Sequence, residues 1–387
     1  MDLRTMPIEG LSSLSIQERL KQGLFGAATA QATGEDPSGL FKRSDAIDTV
    51  PGQALTIDGQ PINEIWDDLQ RKLTAYNRQA SPIIALFSDL TIFAQVQTAV
   101  YATKGFEQAT EFGRPTNIAL QYVTRQVPLD HFDLGFGYTQ KFIDKAKGRE
   151  ISSVQLTATN AWWNLQLNDV LDAIYNDAPT ADPDGVVGTT LYNADETPPP
   201  YKRFTHDGSH VHFLADAGAF DQALADSMEV HLIHHGFGDF GEQLFLMLHR
   251  DEMVLARAFA NFIPATSATV KSIIAGPIIG AAPSASVLSN MPVEGFVGKM
   301  AVVEMNDIPS GYPLLFATGG QFAQQNVVAM RIHENPSARG LRLIEGPRQR
   351  YPLYDAVYDG YNGAAVAQRG AAVVLRTGNA SYTPPTF

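Results

Sequence analysis

An α+β fold is predicted by three features of this 387-residue sequence. From Arg149 to Asn176, apolar residues recur at three- and four-residue steps, the spacing of one face of a long helix. Between Lys104 and Gly137 the pattern changes to alternation, with Ile118, Leu120 and Tyr122 set against Asn117, Ala119 and Gln121, which is strand spacing. Apolar strand runs then gather toward the C-terminus, at Gln243 to Leu248, Phe296 to Met305 and Tyr312 to Thr318.

The totals bound what such a fold can do. A chain of this length can bury a large core and suggests two or three domains. Hydrophobic content of 44% with 18% charged residues is that of a folded chain. The formal charge of -13 argues against a surface that grips nucleic acid, which must be basic to displace counterions, but not against enclosing DNA. There is no cysteine, so disulfides, thiolate nucleophiles and zinc–thiolate sites are excluded. The first residues, Met1 to Pro7, lack the apolar core of a signal peptide. Pro82 to Tyr101 carries Asp89, Gln95 and Gln97, and Ser272 to Pro283 is broken by Gly276, Pro277 and Gly280, so neither reads as a membrane span. A soluble protein is expected.

Residues 1–60 are weakly patterned, with a short amphipathic helix over Ser13 to Phe25 and an extended arm over Thr33 to Gly59. Asn63 is placed to cap a helix carrying Ile65, Leu69, Leu73 and Tyr76, which Ser81-Pro82 ends. Ile83 to Tyr101 is apolar and should pack inside. Lys104 to Gly137, punctuated by Gly105, Gly113, Pro115, Pro128 and Gly135, reads as a two-stranded excursion. An isolated hairpin is only marginally stable in water, so it needs something to lie on. In the long helix Leu156, Trp163, Leu167, Val170, Leu171 and Ile174 form the stripe, with Ala158, Ala161 and Leu165 widening it. Further helices are expected over Phe220 to His235 and Asp251 to Phe262, with a small-residue loop over Gly276 to Pro292. Asp182-Pro183-Asp184-Gly185 reads as a turn in preference to a calcium loop.

Seven of the nine histidines fall between His206 and His249. His210 and His212 would share a strand face, and His231 and His235 a helix face, which are ligand-pair spacings for a transition metal. The helical pair lacks the Glu of an H-E-x-x-H site, so partly buried or interfacial imidazoles are the expectation, with no metal or other cofactor. No Walker loop, nucleophile elbow or complete dinucleotide fingerprint occurs, and no catalytic residue is assigned. From Arg331 to Arg376 there are seven arginines, no lysine and four carboxylates. Arginine is favoured where carboxylates are paired bidentately across an interface, so this region reads as a contact surface.

In order and in specific phrases the chain resembles the major capsid proteins of tailed bacteriophages, which share the Johnson fold. The segment ending Leu134-Gly135-Phe136-Gly137-Tyr138-Thr139 looks like the family's extended E-loop. Ile151 to Tyr175 is similar to its spine helix. Met305-Asn306-Asp307-Ile308-Pro309-Ser310-Gly311-Tyr312 with Phe316-Ala317-Thr318-Gly319-Gly320 looks like the return from the axial domain. Arg369-Gly370-Ala371-Ala372-Val373-Val374 resembles the C-terminal part of the peripheral domain.

The resemblance implies an N-terminal arm over 1–80, an E-loop over 105–140, a peripheral domain over 141–220 and 319–387, and an axial domain over 221–318. It implies a structural protein, not an enzyme, that assembles into hexamers and pentamers of an icosahedral shell around double-stranded DNA. Portal, scaffolding or decoration proteins would be partners, and the shell would be built in the bacterial host cytoplasm. Arg114 and Arg125 on the E-loop, with Arg339, Arg342, Glu345, Arg348 and Arg350, are the expected subunit-interface residues. Some relatives weld their shells through an E-loop lysine. None lies between Lys104 and Lys141, so no covalent cross-link is expected. The alternatives are an encapsulin-like compartment of the same fold and a metal-dependent enzyme using His210, His212, His231 and His235.

Overall fold

The computed structural model describes residues 55–78, 81–100, 108, 113, 121–178, 181–201, 204–238, 242–265, 293–345 and 353–387. The helix expected over Ser13 to Phe25, most of the arm and the loop over Gly276 to Pro292 lie outside the described residues. Two compact units divide the chain, one from residues 1–67 and 139–151, the other from 68–138 and 152–387.

In the first unit, a turn closes from Thr56 N to Gln60 O at 3.0 Å, with Gly59 at φ +78°. Asp58 accepts from Gly148 N at 3.2 and 3.3 Å, and Ile57 N donates to Ala146 O at 3.0 Å. Ile62, Ile65, Trp66, Ile143, Ala146 and Ile151 supply its buried apolar side chains.

Helix α1 (Ile62–Asn77) starts one residue ahead of Asn63 and buries Leu69 and Leu73 as its spacing predicts. Helix α2 (Gly148–Tyr175) is the spine, 28 residues and so roughly 40 Å long. In the second unit its buried face runs through Gln155, Ala158, Thr159, Trp162, Leu167, Val170, Leu171 and Ile174. Leu156 is 65% exposed and Ala161 is exposed, contrary to the expected stripe. The face instead admits two polar residues because each is bonded: Gln155 Nε2 donates to Leu69 O at 3.1 Å and Thr159 Oγ1 to Gln155 O at 2.9 Å.

The described strands are β1 (Ser88–Thr91), β2 (Gln95–Val100), β3 (Gln121–Gln126), β4 (Asp130–Thr139), β5 (Phe213–Asp216), β6 (Gln243–Leu248), β7 (Phe262–Pro264), β8 (Val293–Val297), β9 (Met300–Glu304), β10 (Leu314–Thr318), β11 (Val328–Arg331), β12 (Arg342–Glu345), β13 (Leu353–Val366) and β14 (Ala372–Thr377). Helices α3 (Gln222–His234) and α4 (Arg250–Ala256) complete the set used below. Helix α4 is shorter than expected, because Phe262 begins β7.

One sheet runs β1-β11-β13-β12, with β4 also on β13. The 14-residue β13 is its axis, pairing β12 over Ala356–Asp359 and β11 over Gly363–Val366. The other sheet runs β5-β14-β10-β6-β9-β8-β7. Leu315 pairs with Leu246 on one side and Val373 on the other. These central strands are buried on both faces, which is why they read as continuous apolar runs without alternation. The run from Gly370 to Leu375, expected in the peripheral domain, therefore forms β14 between β10 and β5, in the sheet of the 243–318 strands. The lower half of the spine, Leu167 to Tyr175, shares its core cluster.

Asn326 ties the two sheets. Its Nδ2 donates to Ala85 O, Ser88 O and Gly320 O at 3.2, 2.9 and 2.9 Å, and its Oδ1 accepts from Thr318 Oγ1 and Gly319 N at 2.9 and 3.2 Å. The break at Gly319-Gly320 is thus the corner at which the chain leaves β10 for β11.

Candidate assembly surface

Strands β2 and β3 pair with each other, Gln95 to Gln126 through Val100 to Gln121, and belong to no other described sheet. The excursion thus leaves the domain at Gln95, earlier than Lys104, and ends at Gln126. Residues 130–139, expected within it, form β4 on β13 instead. That return is held by Val127, which is 1% exposed, and by the Asp182 carboxylate accepting from Leu129 N at 3.2 Å. Asp182 also caps its own turn, Oδ1 accepting from Val186 N at 2.7 Å. Residues 101–120, apart from 108 and 113, lie outside the described residues, and with them Arg114.

The hairpin root is fastened to its own chain. Val96 packs on Val127, Ala329, Ala365 and Ala367. Arg125, its side chain 11% exposed, pairs with Glu196. Arg369 Nη1 reaches the same carboxylate at 3.1 Å and Arg369 Nη2 pairs with Asp195 at 2.7 Å. Burial alone would raise the Asp195 carboxyl, but the Asn193 amide and the Arg369 guanidinium hold it below its ordinary value. Arg369 also lies 4.7 Å over the ring of Tyr192, whose hydroxyl burial pushes up to about 12.

The other arginines expected at an interface divide three ways. Arg342 pairs with Asp359, a residue 4% exposed on the facing β13, and His131 Nε2 stands 3.3 Å from the same carboxylate. Arg339 holds its own loop, donating from Nε to His333 O and from Nη2 to Glu334 O, each at 2.9 Å. Arg348 and Arg350 lie outside the described residues. Glu345 ends β12 opposite Ala356. Asp195, Glu196 and Arg369 were not singled out by sequence, because their carboxylates and guanidinium lie about 175 positions apart in the chain.

The histidines are brought closer together than sequence spacing implied, but in a different set. His235 caps α3 from beyond its last turn, so it does not share a helix face with His231. His212 is fully buried, its Nδ1 donating to Ala372 O at 2.6 Å, and the His231 ring stands 6.1 Å from it. The group whose ring nitrogens approach closely enough to share an ion is His206, His210 and His234.

Several apolar side chains stand exposed on the subunit. Val230 on α3, Val254 and Leu255 on α4 and Ile263 on β7 are 65, 60, 41 and 58% exposed, all on the unit that carries the seven-stranded sheet. Single exposed apolar residues of this kind are ordinary on a folded chain.

The sequence matches no protein-family model and no curated protein. Among solved structures, a chain of Mycobacterium phage Patience superposes with a TM-score of 0.60 at 27% identity, covering 86% of this chain and 93% of that one. The capsid of Ralstonia phage GP4 gives a TM-score of 0.46 at 11% identity over 79% of this chain and 90% of that one. The holo-SrpI encapsulin complex of Synechococcus elongatus gives 0.43 at 12% identity over 77% and 87%. With its hairpin, spine helix and two sheets in this order, the chain has the tailed-phage major capsid protein fold.

Proposed function

We propose that this chain is the major shell subunit of a tailed phage, forming hexamers and pentamers that close around double-stranded DNA. The observation that carries it is the hairpin of β2 and β3. Its strands have no third strand among the described residues; Val96 and Arg125 fasten one face of its root to the same chain, while Gln95, Gln97, Tyr122, Thr124 and Gln126 stand exposed on the other. An unsupported hairpin is marginal in water, and a neighbouring subunit supplies the missing surface. The chain then acts by shape and contact, with no catalytic step.

In this reading Arg114 on the hairpin, and Arg339, Glu345, Arg348 and Arg350 near the C-terminus, meet neighbouring subunits. Arg125 and Arg342 serve the same assembly indirectly, by holding the hairpin root and the edge strand β12. Residues 1–80 act as an arm, 105–120 as the reaching part of the E-loop, and the unit around the seven-stranded sheet as the axial domain. Exposed ion pairs are worth only about 0–1 kcal/mol each, so shell stability comes from many summed contacts. The net charge of -13 suits a container that must release its DNA. Portal and scaffolding proteins join it during assembly in the host cytoplasm, and no helix among the described residues is long and apolar enough to cross a membrane.

Particles purified from nuclease-treated lysates of producing cells test this. Protected double-stranded DNA with a portal ring supports the proposal. A packaged enzyme in place of DNA would move the chain to the encapsulin class.

A further inference from the structure

Outside the assembly surface, the densest group of titratable side chains is the histidine cluster between the 204–212 segment and the end of α3. The ring centres of His206 and His210, His206 and His234, and His210 and His234 are each 5.0 Å apart, a near-equilateral triangle. Their ligand nitrogens all lie within 4.8 Å of one another. Zinc binds imidazole nitrogen at about 2.0–2.1 Å, which for tetrahedral geometry sets ring centres roughly 5 Å apart. The rings are therefore already at the spacing of a three-histidine site, and small side-chain rotations bring the nitrogens onto one ion.

A second observation concerns bonding. Both ring nitrogens of His206 are buried and have no hydrogen-bond partner. Buried polar atoms are nearly always bonded, and an orphaned imidazole nitrogen costs free energy that a coordinated ion removes. Neutral imidazole is the form that binds metal.

The remaining histidines form a backing layer. His212 donates from Nδ1 to Ala372 O, so its Nε2 accepts, at 2.9 Å, from His235 Nε2. His235 in turn stacks on Tyr192 with ring centres 5.7 Å apart and stands 3.1 Å from His210 Nδ1. These two rings are engaged with one another, with β14 and with the 190s loop, which fixes the floor beneath the triangle. Such outer contacts are what orient metal-binding histidines.

We propose that His206, His210 and His234 hold one divalent transition-metal ion, zinc being the simplest, with a water or solvent oxygen as fourth ligand. Imidazole-only sites suit zinc, nickel and copper over magnesium or calcium. The ion's role is structural: it clips the 204–212 segment to the C-terminal end of α3, adding to the ring contacts and to the hydrogen bonds of His235 with His210 and His212.

Chelator-stripped, tag-free protein titrated with cobalt(II), followed by visible absorption, tests the site, and mass spectrometry of zinc-dialysed protein gives the stoichiometry. The expected result is one ion per subunit and the absorption of a four-coordinate cobalt site. His234→Ala replaces an exposed residue at a helix end and, by removing a direct ligand, should weaken binding by more than the roughly 10- to 100-fold that loss of an outer contact costs, while leaving the circular dichroism spectrum unchanged. His231→Ala and His249→Ala, outside the triangle, should bind as the parent does. Absence of uptake by the folded parent, or parent-like affinity in folded His234→Ala, would overturn the proposal.

Discussion

Arg369 Nη2 donates to both carboxylate oxygens of Asp195, at 2.8 and 2.7 Å, from a side chain that is 4% exposed. Nε donates to Thr190 O at 2.7 Å and Nη2 also to Leu191 O at 2.9 Å, so one guanidinium binds the 190s loop to the turn that leads into β14. Asp195 is half exposed and is hydrated once the guanidinium is gone, so the larger cost is the Thr190 and Leu191 carbonyls left without a donor. Arg369→Ala should lower the stability of the unassembled subunit by about 1–3 kcal/mol. Arg369→Lys should recover less than half of that, because an ammonium cannot reproduce the fork. Urea midpoints at constant m-value measure both, and a midpoint unchanged by Arg369→Ala would contradict this role.

The acidic groove beside the spine gives a pH dependence. Burial raises the Asp169 carboxyl to about 6, against the hydrogen bond from Asn362 and with help from Asp130 and Asp172. A carboxyl whose folded value is raised favours the folded state at low pH, and that contribution is lost as pH climbs from about 4 through 6. The difference from 3.8 corresponds to at most about 3 kcal/mol of destabilisation at neutral pH. Asp169→Asn, which can still accept from Asn362, should therefore raise the melting temperature at pH 7.5 and have little effect at pH 4. Equal shifts at both pH values would rule this out.

A Cβ placed on Gly363 would lie 2.2 Å from the Pro128 carbonyl oxygen, whereas one on Gly135 meets nothing within 4 Å. Backbone cannot rotate out of the way as a side chain can. Gly363→Ala should cost about 1–3 kcal/mol or more by forcing β13 from the 128–129 segment. Gly135→Ala should stay within about 0.5 kcal/mol. Thermal melts of the two variants compare them directly.

Much of this architecture was legible in sequence, for identifiable reasons. The spine, α1 and strands β6 and β10 have strong periodicity or fully apolar runs, and burial follows the pattern. The spine's face was misjudged at Leu156 because Gln155 is buried through a bond to Leu69 on α1 and Thr159 through one to its own helix, which no hydropathy pattern encodes. Strand β13 was not anticipated, since its run from Tyr354 to Gly363 mixes Asp, Asn and Gly with aromatics. Alternation also says which residues share a face but not which sheet a strand joins, so the place of β14 between β5 and β10 was not legible. Likewise His206 and His234 carry no spacing signal, because a loop and a helix end supply them separately.

On the proposed shell reading, Arg342 is a probe of folding and Arg348 and Arg350 are probes of assembly. Arg342→Glu would put a carboxylate against buried Asp359 and should lower the melting temperature of the isolated subunit. Arg348→Glu and Arg350→Glu should leave that temperature unchanged and prevent closure of shells. Calorimetry of the subunit beside sedimentation of the assembly reaction distinguishes the two effects. Melting of all three variants together would remove the distinction.

The most direct measurement is negative-stain electron microscopy of the chain expressed by itself, with a parallel sample in which residues 101–120 are replaced by Asn-Gly. The full chain should give closed shells of uniform diameter, and the shortened chain a folded subunit that forms none. A full-length chain that stays a folded monomer at assembly concentrations, or shells from both samples alike, would contradict the account.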